Sequence, residues 1–499
     1  MFRKVLIANR GEIAVRVIRA AREVGIQTVA VYSECDRAAL HVRMADEAYF
    51  LGPPPAVESY LDREKILKIA KASQCEAIHP GYGFLSENPH FARLCADAGL
   101  VFIGPSAAAM EQVGEKIAAR KIATGTNVPV VPGTQEAVRN VDEAVAIAGQ
   151  IGFPVMIKAS SGGGGKGMRR VGKLEELSSA LRDAQSEAAA AFGDSAVYLE
   201  KCIVEPRHIE FQILADRHGN VIHLGERECS IQRRHQKVIE ESPSPLMTPE
   251  LRQQMGGAAV RIARASTYEN AGTVEFLVDA KSNFYFLEMN TRLQVEHPVT
   301  ELVTGIDLVK EQFQIAAGEK LSLRQEDVSW RGSALECRIY AEDPANNFFP
   351  SPGKVTRLQT PSGPGVREDS GIYEGWTVPV HYDPLLSKLI CWGRTRTEAI
   401  ARMQRAIGEY QVEGIKTNLA LFQSILCQKK FLDGDLSTGF IDQLQLQPAP
   451  NSRGADDLEL AVIAATLHAS RGINRSSSSS QAHESLWKRV GQMENLRSR

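Results

Sequence analysis

The sequence predicts a multidomain chain of mixed α/β and α+β class, with an open parallel sheet first and a mixed body after it. Three observations predict this. Strand and helix patterns alternate over the first 110 or so residues, strands crowd together later, and 499 residues exceed what one core can hold. At about 150 residues per domain, roughly three domains are expected.

Val5-Leu6-Ile7-Ala8 has the apolar run of a buried strand, Asn9-Arg10-Gly11 that of a tight turn, Ala14 to Val24 that of a helix, and Thr28 to Tyr32 that of a second strand. A second alternation follows: helix Arg63 to Lys71, strand Glu76 to His79, helix His90 to Ala98 and strand Leu100 to Ile103. From about Val128 to Lys201, strand Val155 to Lys158 runs into a glycine-rich loop, the pattern of a small mobile lid. Strands Ile209 to Asp216 and Val221 to Glu226, helix Pro249 to Ala265, and strands Thr273 to Val278 and Phe284 to Met289 imply an α+β body. After Trp330-Arg331-Gly332, short strands and a helix at Arg396 to Tyr410 suggest a third subdomain ending near Gly439.

Composition excludes several functions. Lys and Arg total 58 against 60 Asp and Glu, a net charge of −2 that offers no broad attraction to nucleic acid or anionic membranes. No run of 18 apolar residues and no leader-like start occurs, so a cytoplasmic protein is expected. The 8 cysteines form no C-x-x-C pair and read as reduced, packed thiols.

Gly162 to Gly165, then Lys166 and Gly167, leave a backbone free of Cβ atoms whose N–H groups can converge on phosphate oxygens. A flexible surface loop is the other reading, because Gly167 stands where a P-loop requires Ser or Thr. A hairpin loop at Ala280 to Asn283 would pair Asp279 with Phe284, Leu277 with Phe286 and Glu275 with Glu288. Opposed carboxylates about 5 Å apart repel unless a cation lies between them, and such oxygen ligands suit Mg²⁺ on substrate phosphates. Asn290 shares their face. A solvated strand face is the alternative. The polar run Thr291 to Pro298 sits where sites are built, and Arg227 to Lys237 supplies fixed positive charge without strand or helix periodicity, chance exposure being its other reading.

From Met1 to about Leu446 the chain resembles the biotin carboxylase subunit or domain of acetyl-CoA, propionyl-CoA and pyruvate carboxylases. The resemblance rests on Lys4-Val5-Leu6-Ile7-Ala8-Asn9-Arg10-Gly11-Glu12-Ile13-Ala14, on His79-Pro80-Gly81-Tyr82-Gly83-Phe84-Leu85-Ser86-Glu87-Asn88, and most specifically on Glu288-Met289-Asn290-Thr291-Arg292-Leu293-Gln294-Val295-Glu296-His297-Pro298. Arg207-His208-Ile209-Glu210, Arg233 to Lys237, Glu336 to Glu342 and Tyr382-Asp383-Pro384 add to it. It implies a Rossmann-like N-terminal domain at 1–114, an ATP-grasp domain at 115–330 with a mobile lid at about 131–203, a C-terminal biotin carboxylase domain at 331–446, and a partly flexible tail at 447–499.

The same resemblance implies site residues. Lys116, Lys158, Gly164, Gly165, Glu200, Lys201, Cys202, Ile203, His208, Gln232, His235, Glu275 and Glu288 would bind ATP, with Glu275, Glu288 and Asn290 holding one or two Mg²⁺ or Mn²⁺ ions. Bicarbonate would be gripped by Lys237, Arg292, Gln294 and Val295, with Glu296 as its base, and biotin by Tyr82, Arg338 and Asp383. Arg292, Glu296, Arg338 and Lys237 are thus the expected catalytic groups. Carboxyphosphate would form and break down beside biotin carried on a separate protein, since no Ala-Met-Lys-Met segment occurs here. A biotin carboxyl carrier protein, carboxyltransferase subunits and a homodimer are the expected partners. The tail, with a helix at Asp456 to Ser470, a linker at Ser476 to Ser480 and the patch Leu486 to Arg489, would dock them or do nothing.

Competing classes fit less well. A Rossmann oxidoreductase needs its G-x-G-x-x-G in the first strand-to-helix turn, whereas the match here lies far downstream. Other ATP-grasp ligases would share the lid and paired carboxylates but would not require Arg338 or the Arg292 to His297 loop. An inactive scaffold would not keep every expected ligand residue.

Overall fold

A computed structural model describes residues 1–134, 136–138, 140–160, 168–444, 462–463 and 465–466. The chain divides into two units, Met1–Gln445 and Leu446–Arg499, and among the described residues every sheet lies in the first. Gly164, Gly165 and the rest of the glycine loop lie outside the described residues, as do the tail linker and Leu486 to Arg489. Of the expected tail helix, positions 462–463 and 465–466 are described, as helix.

The N-terminal alternation folds as an open parallel sheet. Strands β1 (Lys4–Ile7), β2 (Gln27–Ser33), β3 (Glu47–Gly52), β4 (Ala77–His79) and β5 (Val101–Phe102) lie in the order β3-β2-β1-β4-β5, every neighbour parallel. β3 has no counterpart in the sequence reading; it is an edge strand, Glu47-Ala48-Tyr49-Phe50-Leu51-Gly52, with Ala48 and Phe50 exposed. The central strands are apolar because helices cover both faces. Helix Gly11–Glu23 starts on Gly11, at φ +64°. Beyond the carboxyl ends of β1 and β4, Asn9 Nδ2 donates to Pro80 O and Tyr82 O, both at 2.7 Å, tying the first turn to the fourth strand's exit. A crevice at this edge is where parallel sheets hold ligands.

Strands β6 (Val155–Ala159), β7 (Arg169–Val171) and β8 (Val197–Lys201) make a small antiparallel sheet in the order β7-β6-β8. Its core is its own: Ile157, Val171 and Leu199 pack against Leu177, Leu181, Ala184 and Ala188 of helix Leu174–Phe192.

The body is one antiparallel sheet of eight strands. β9 (Arg207–Ala215), β10 (Val221–Arg233), β11 (Gln236–Ser242), β12 (Asn270–Val278), β13 (Phe284–Asn290) and β14 (Ser333–Tyr340) join strands Leu385–Gly393 and Val366–Ser370, in the order β13, β12, β9, β10, β11, β14, Leu385–Gly393, Val366–Ser370. The sheet crosses the 330/331 position at which the sequence reading begins a new domain, because β11 pairs with β14.

Two local expectations are corrected. Arg227 to Lys237 is not aperiodic loop: it is the end of β10, a turn at Arg234 and His235 with φ +49° and +66°, and the start of β11. Strand alternation is lost there because both faces of β10 are buried, and ion pairs replace apolar packing. Arg227 is fully buried, with Glu210, Gln212, Thr273 and Thr300 as its partners.

The β12–β13 hairpin pairs Glu275 with Glu288 as expected, but by a different route. The loop spans Asp279 to Asn283, so Val278 faces Phe284 and Leu277 faces Tyr285; a bulge at Leu287 then restores the register before Glu288. The two one-residue differences cancel. Asp279 Oδ1 accepts from the backbone N–H of Lys281 at 2.8 Å and of Asn283 at 2.9 Å, which fixes the loop length. Asp279→Ala is expected to lower stability by about 1–2 kcal/mol, read as a fall in the urea midpoint.

Candidate active site

A cavity of about 1500 Å³ opens where the three sheets meet. The turns at Arg10 to Glu12 and Tyr82 to Phe84 form one wall, β6 and β8 of the small sheet a second, and β9, β10, β12, β13 and β14 its floor. Every described residue expected to take part lines it except Glu296, which is fully buried just behind the floor.

Two lysines line the cavity, Lys158 from β6 and Lys116 from the start of helix Lys116–Gly125. Lys158 ion-pairs with the buried Glu200, which Arg120 also holds at 3.1 Å while donating to Val131 O at 2.7 Å. Burial lowers Lys116 from the ordinary lysine range, against the pull of Glu288. Lys201 donates its ammonium to Gly152 O and Phe153 O at 3.0 and 2.9 Å, and Lys201, Cys202 and Ile203 all line the cavity. His208 Nε2 sits 2.9 Å from Glu275, and its Nδ1 2.7 Å from Gln232 Nε2. His235 rims the cavity, lowered from its usual value by burial and then by Lys158.

Glu275 and Glu288 face each other across the hairpin. Burial and then Glu275 push Glu288 above the ordinary carboxyl range, and among the described residues Glu288 has no hydrogen-bond or ion-pair partner. Glu275 is well supplied: Asn290 Nδ2 donates to it at 2.8 Å and Lys237 Nζ at 2.8 Å. Two opposed carboxylates, one without a protein partner, with the Asn290 amide alongside, are a donor set that suits a hard divalent ion. His208, Glu210 and Glu275 also bring ligand atoms within 4.8 Å of one another.

Lys237 is the centre of the floor. Its ammonium donates to Glu210 at 2.6 Å, Glu275 at 2.8 Å and Glu296 at 2.7 Å. Burial would lower it, but these three carboxylates hold it well above the usual lysine value. Burial would likewise raise Glu296, yet Lys237, then Arg338 and Arg227, hold it well below the ordinary range. Arg338 reaches Glu296 at 2.9 Å and also pairs with the buried Glu240. Arg292 is steered from outside: Glu87 takes its Nε at 2.9 Å and Gln294 its Nη1 at 2.9 Å. Tyr82 and Asp383 also line the cavity, Asp383 near Arg338 and raised by burial.

The sequence reading assigns no role to Glu12, Glu87, Glu210, Glu240, Arg120 or Lys388, which hold these groups in place. Glu12, Glu87 and Glu210 are within its reach, since all three stand inside the motifs quoted for the resemblance. The others carry no local signal.

Matches to families are collinear with this architecture. The biotin carboxylase N-terminal domain matches residues 1–110, the ATP-binding domain of the carbamoyl-phosphate synthase L chain 115–324, and the biotin carboxylase C-terminal domain 336–443. The chain is 56% identical over 443 residues to a pyruvate carboxylase subunit of Methanothermobacter thermautotrophicus, covering 89% of this chain and 90% of that one. It is 54% identical over 443 residues to biotin carboxylase 1 of Bacillus subtilis, covering 89% and 98%. Among solved structures, the biotin carboxylase domain dimer of 2-oxoglutarate carboxylase from Hydrogenobacter thermophilus, in complex with MgADP, ADP and bicarbonate, superposes with a TM-score of 0.86 at 49% identity, covering 89% of this chain and 98% of that one.

Glu275 and Glu296 have lowered values in the folded chain, so their ion pairs stabilise it above the unfolded value near 4.5 and that stability is lost as pH falls. Lys237→Gln is therefore expected to cost about 3–5 kcal/mol above pH 5. The deficit against the parent chain shrinks toward pH 3 in urea midpoints measured across pH.

Proposed function

This chain belongs to the biotin carboxylase family, and on that premise we propose how its cavity carries out the first half-reaction of a biotin-dependent carboxylase. Its activity is that of an ATP-dependent ligase that carboxylates biotin, with ATP and Mg²⁺ as the family's nucleotide and metal. The observation that carries the residue assignment is Lys237, held by three carboxylates on the floor of the cavity that Lys116, Lys158, Arg292 and Arg338 also line.

In this reading the parts are residues 1–114, the ATP-binding part 115–330 with its lid at about 131–203, the C-terminal part 331–446 and the tail 447–499. Lys116 and Lys158 neutralise the phosphates of ATP, the crossover from Glu200 to Ile203 takes the adenine, and His208, Gln232 and His235 complete the pocket with Gly164 and Gly165. Glu275, Glu288 and Asn290 would hold Mg²⁺ or Mn²⁺ in one or two sites, where the metal supplies charge neutralisation on the phosphates.

Bicarbonate takes the place now shared by Lys237 and Arg292, beside Gln294 and the backbone at Val295. Glu296, a carboxylate at any working pH, accepts its proton. The oxygen attacks the γ-phosphorus, ADP leaves, and carboxyphosphate forms. Its breakdown yields CO₂ and phosphate, and the phosphate takes the proton of the biotin ureido nitrogen that attacks CO₂. Arg338 stabilises the oxyanion that develops on biotin, with Tyr82 and Asp383 beside it. A closed, dry cavity keeps carboxyphosphate from water.

Biotin arrives on a biotin carboxyl carrier protein, and carboxyltransferase subunits complete the cycle, with a homodimer as the working form of this chain. The final acceptor we assign is acetyl-CoA or another acyl-CoA. The match to a pyruvate carboxylase chain favours pyruvate as the second reading. With carrier and transferase subunits added, labelled bicarbonate is expected in an acyl-CoA product; label in oxaloacetate would establish the second.

No helix among the described residues is long and apolar enough to cross a membrane. Purified protein is expected to release ADP from MgATP only with bicarbonate, and faster with free biotin. Arg338→Ala should lose at least about 100-fold of the biotin-dependent rate. ATP cleavage indifferent to biotin in the parent chain would assign it to another ATP-grasp reaction.

A further inference from the structure

The Arg10-Gly11-Glu12 turn is a motif that the mechanism leaves without a task, and Lys388 is a fully buried cation that it does not use. We propose that Glu12 and Lys388 form a positioning pair that couples the biotin side of the cavity to its bicarbonate side. The inference rests on the functional reading above, which places biotin at Tyr82 and bicarbonate at Val295.

The contacts form a chain of four residues. Tyr82, on the cavity wall, donates its hydroxyl to Glu12 Oε1. Glu12 Oε2 lies 3.2 Å from Lys388 Nζ, and Lys388 Nζ donates to Val295 O at 2.8 Å. That carbonyl belongs to the peptide joining Val295 to Glu296, so fixing it fixes the plane from which the bicarbonate loop continues into Glu296. Lys388 also stands opposite Arg338 across the β14 pairing.

Packing leaves this chain little room to shift. A Cβ on Gly371 would come 2.7 Å from the Glu12 backbone nitrogen, so the turn is clamped from the strand Val366–Ser370 side. Asp369 lies farther away, 3.8 Å from Lys388, and is engaged by Arg367 at 2.8 Å, which leaves Glu12 the nearer counter-charge. A buried ammonium without Glu12 would lack its nearest counter-charge, and one without Val295 would have no peptide to hold. Burial pushes Glu12 up to about 7 against the pull of Lys388.

The experiment is bicarbonate-dependent ADP release by the full chain without biotin, so that a contact of Tyr82 with biotin is silent. Lys388→Met should raise the bicarbonate KM about tenfold or more, the loss of one charge-assisted hydrogen bond. Tyr82→Phe, which only deletes a hydroxyl at the cavity wall, should also raise it severalfold. The double variant should be no worse than Lys388→Met alone. If Lys388→Met fails to fold, Glu12→Gln takes its place in the same cycle, since it removes the charge and keeps the side chain's size. An unchanged bicarbonate KM in Tyr82→Phe, or fold-changes that multiply in the double variant, overturns the coupling. A parent chain that cleaves ATP without bicarbonate would overturn the functional reading and the coupling with it, and is seen before any variant is made.

Discussion

One ammonium group organises the floor of the cavity. Lys237 reaches three buried carboxylates from β9, β12 and the loop after β13, and each would be costly there without it. Because those carboxylates come from separate elements, the position of Lys237 depends on the register of β10, β11 and β9 and on the hairpin that presents Glu275. It also sets the state of the groups around it: Glu296 and Glu275 are kept ionised, while Glu288, facing Glu275 and beyond the reach of Lys237, is pushed toward the neutral form.

The floor is therefore a patterned field and not a positive patch. Arg227 fills the interior beneath Glu210, and Arg338 balances Glu296 and Glu240 from the other side. Lys237 and Arg338 are each shared between carboxylates, so an incoming anion can replace one partner while the others keep the cation in place. Such preorganisation suits transfer of a small, weakly reactive oxyanion, since the charges need not rearrange when it binds. The long residue separations in these pairs also explain why one eight-stranded sheet runs through what the sequence divides into separate parts: the site needs groups from both, held on one rigid surface.

Much of this is legible in the sequence. The parallel βαβ beginning, the helix at Pro249 to Ala265 and the facing of Glu275 and Glu288 follow from periodicity and turn chemistry, and the dense polar runs of the motifs fall on the cavity. The hairpin shows the limit: its key pair is right although the loop length and the bulge at Leu287 each differ by one residue, because pattern alone does not see a bulge. The segment Arg227 to Lys237 escapes pattern reading for a related reason. Strand alternation marks a strand with one wet face, and this one has none.

What the sequence by itself determined is the alternation of the first elements, the family and the chemical types gathered in its motifs, since periodicity and motif spacing are local properties of a chain. Only the tertiary structure decided which charge answers which. Lys388 meeting Glu12 and Val295, Arg338 meeting Glu240 and Glu296, and Arg120 meeting Glu200 are contacts between residues at least 42 positions apart. Burial turns those meetings into fixed partners and shifted proton affinities, and no short window along the chain contains both members of such a pair.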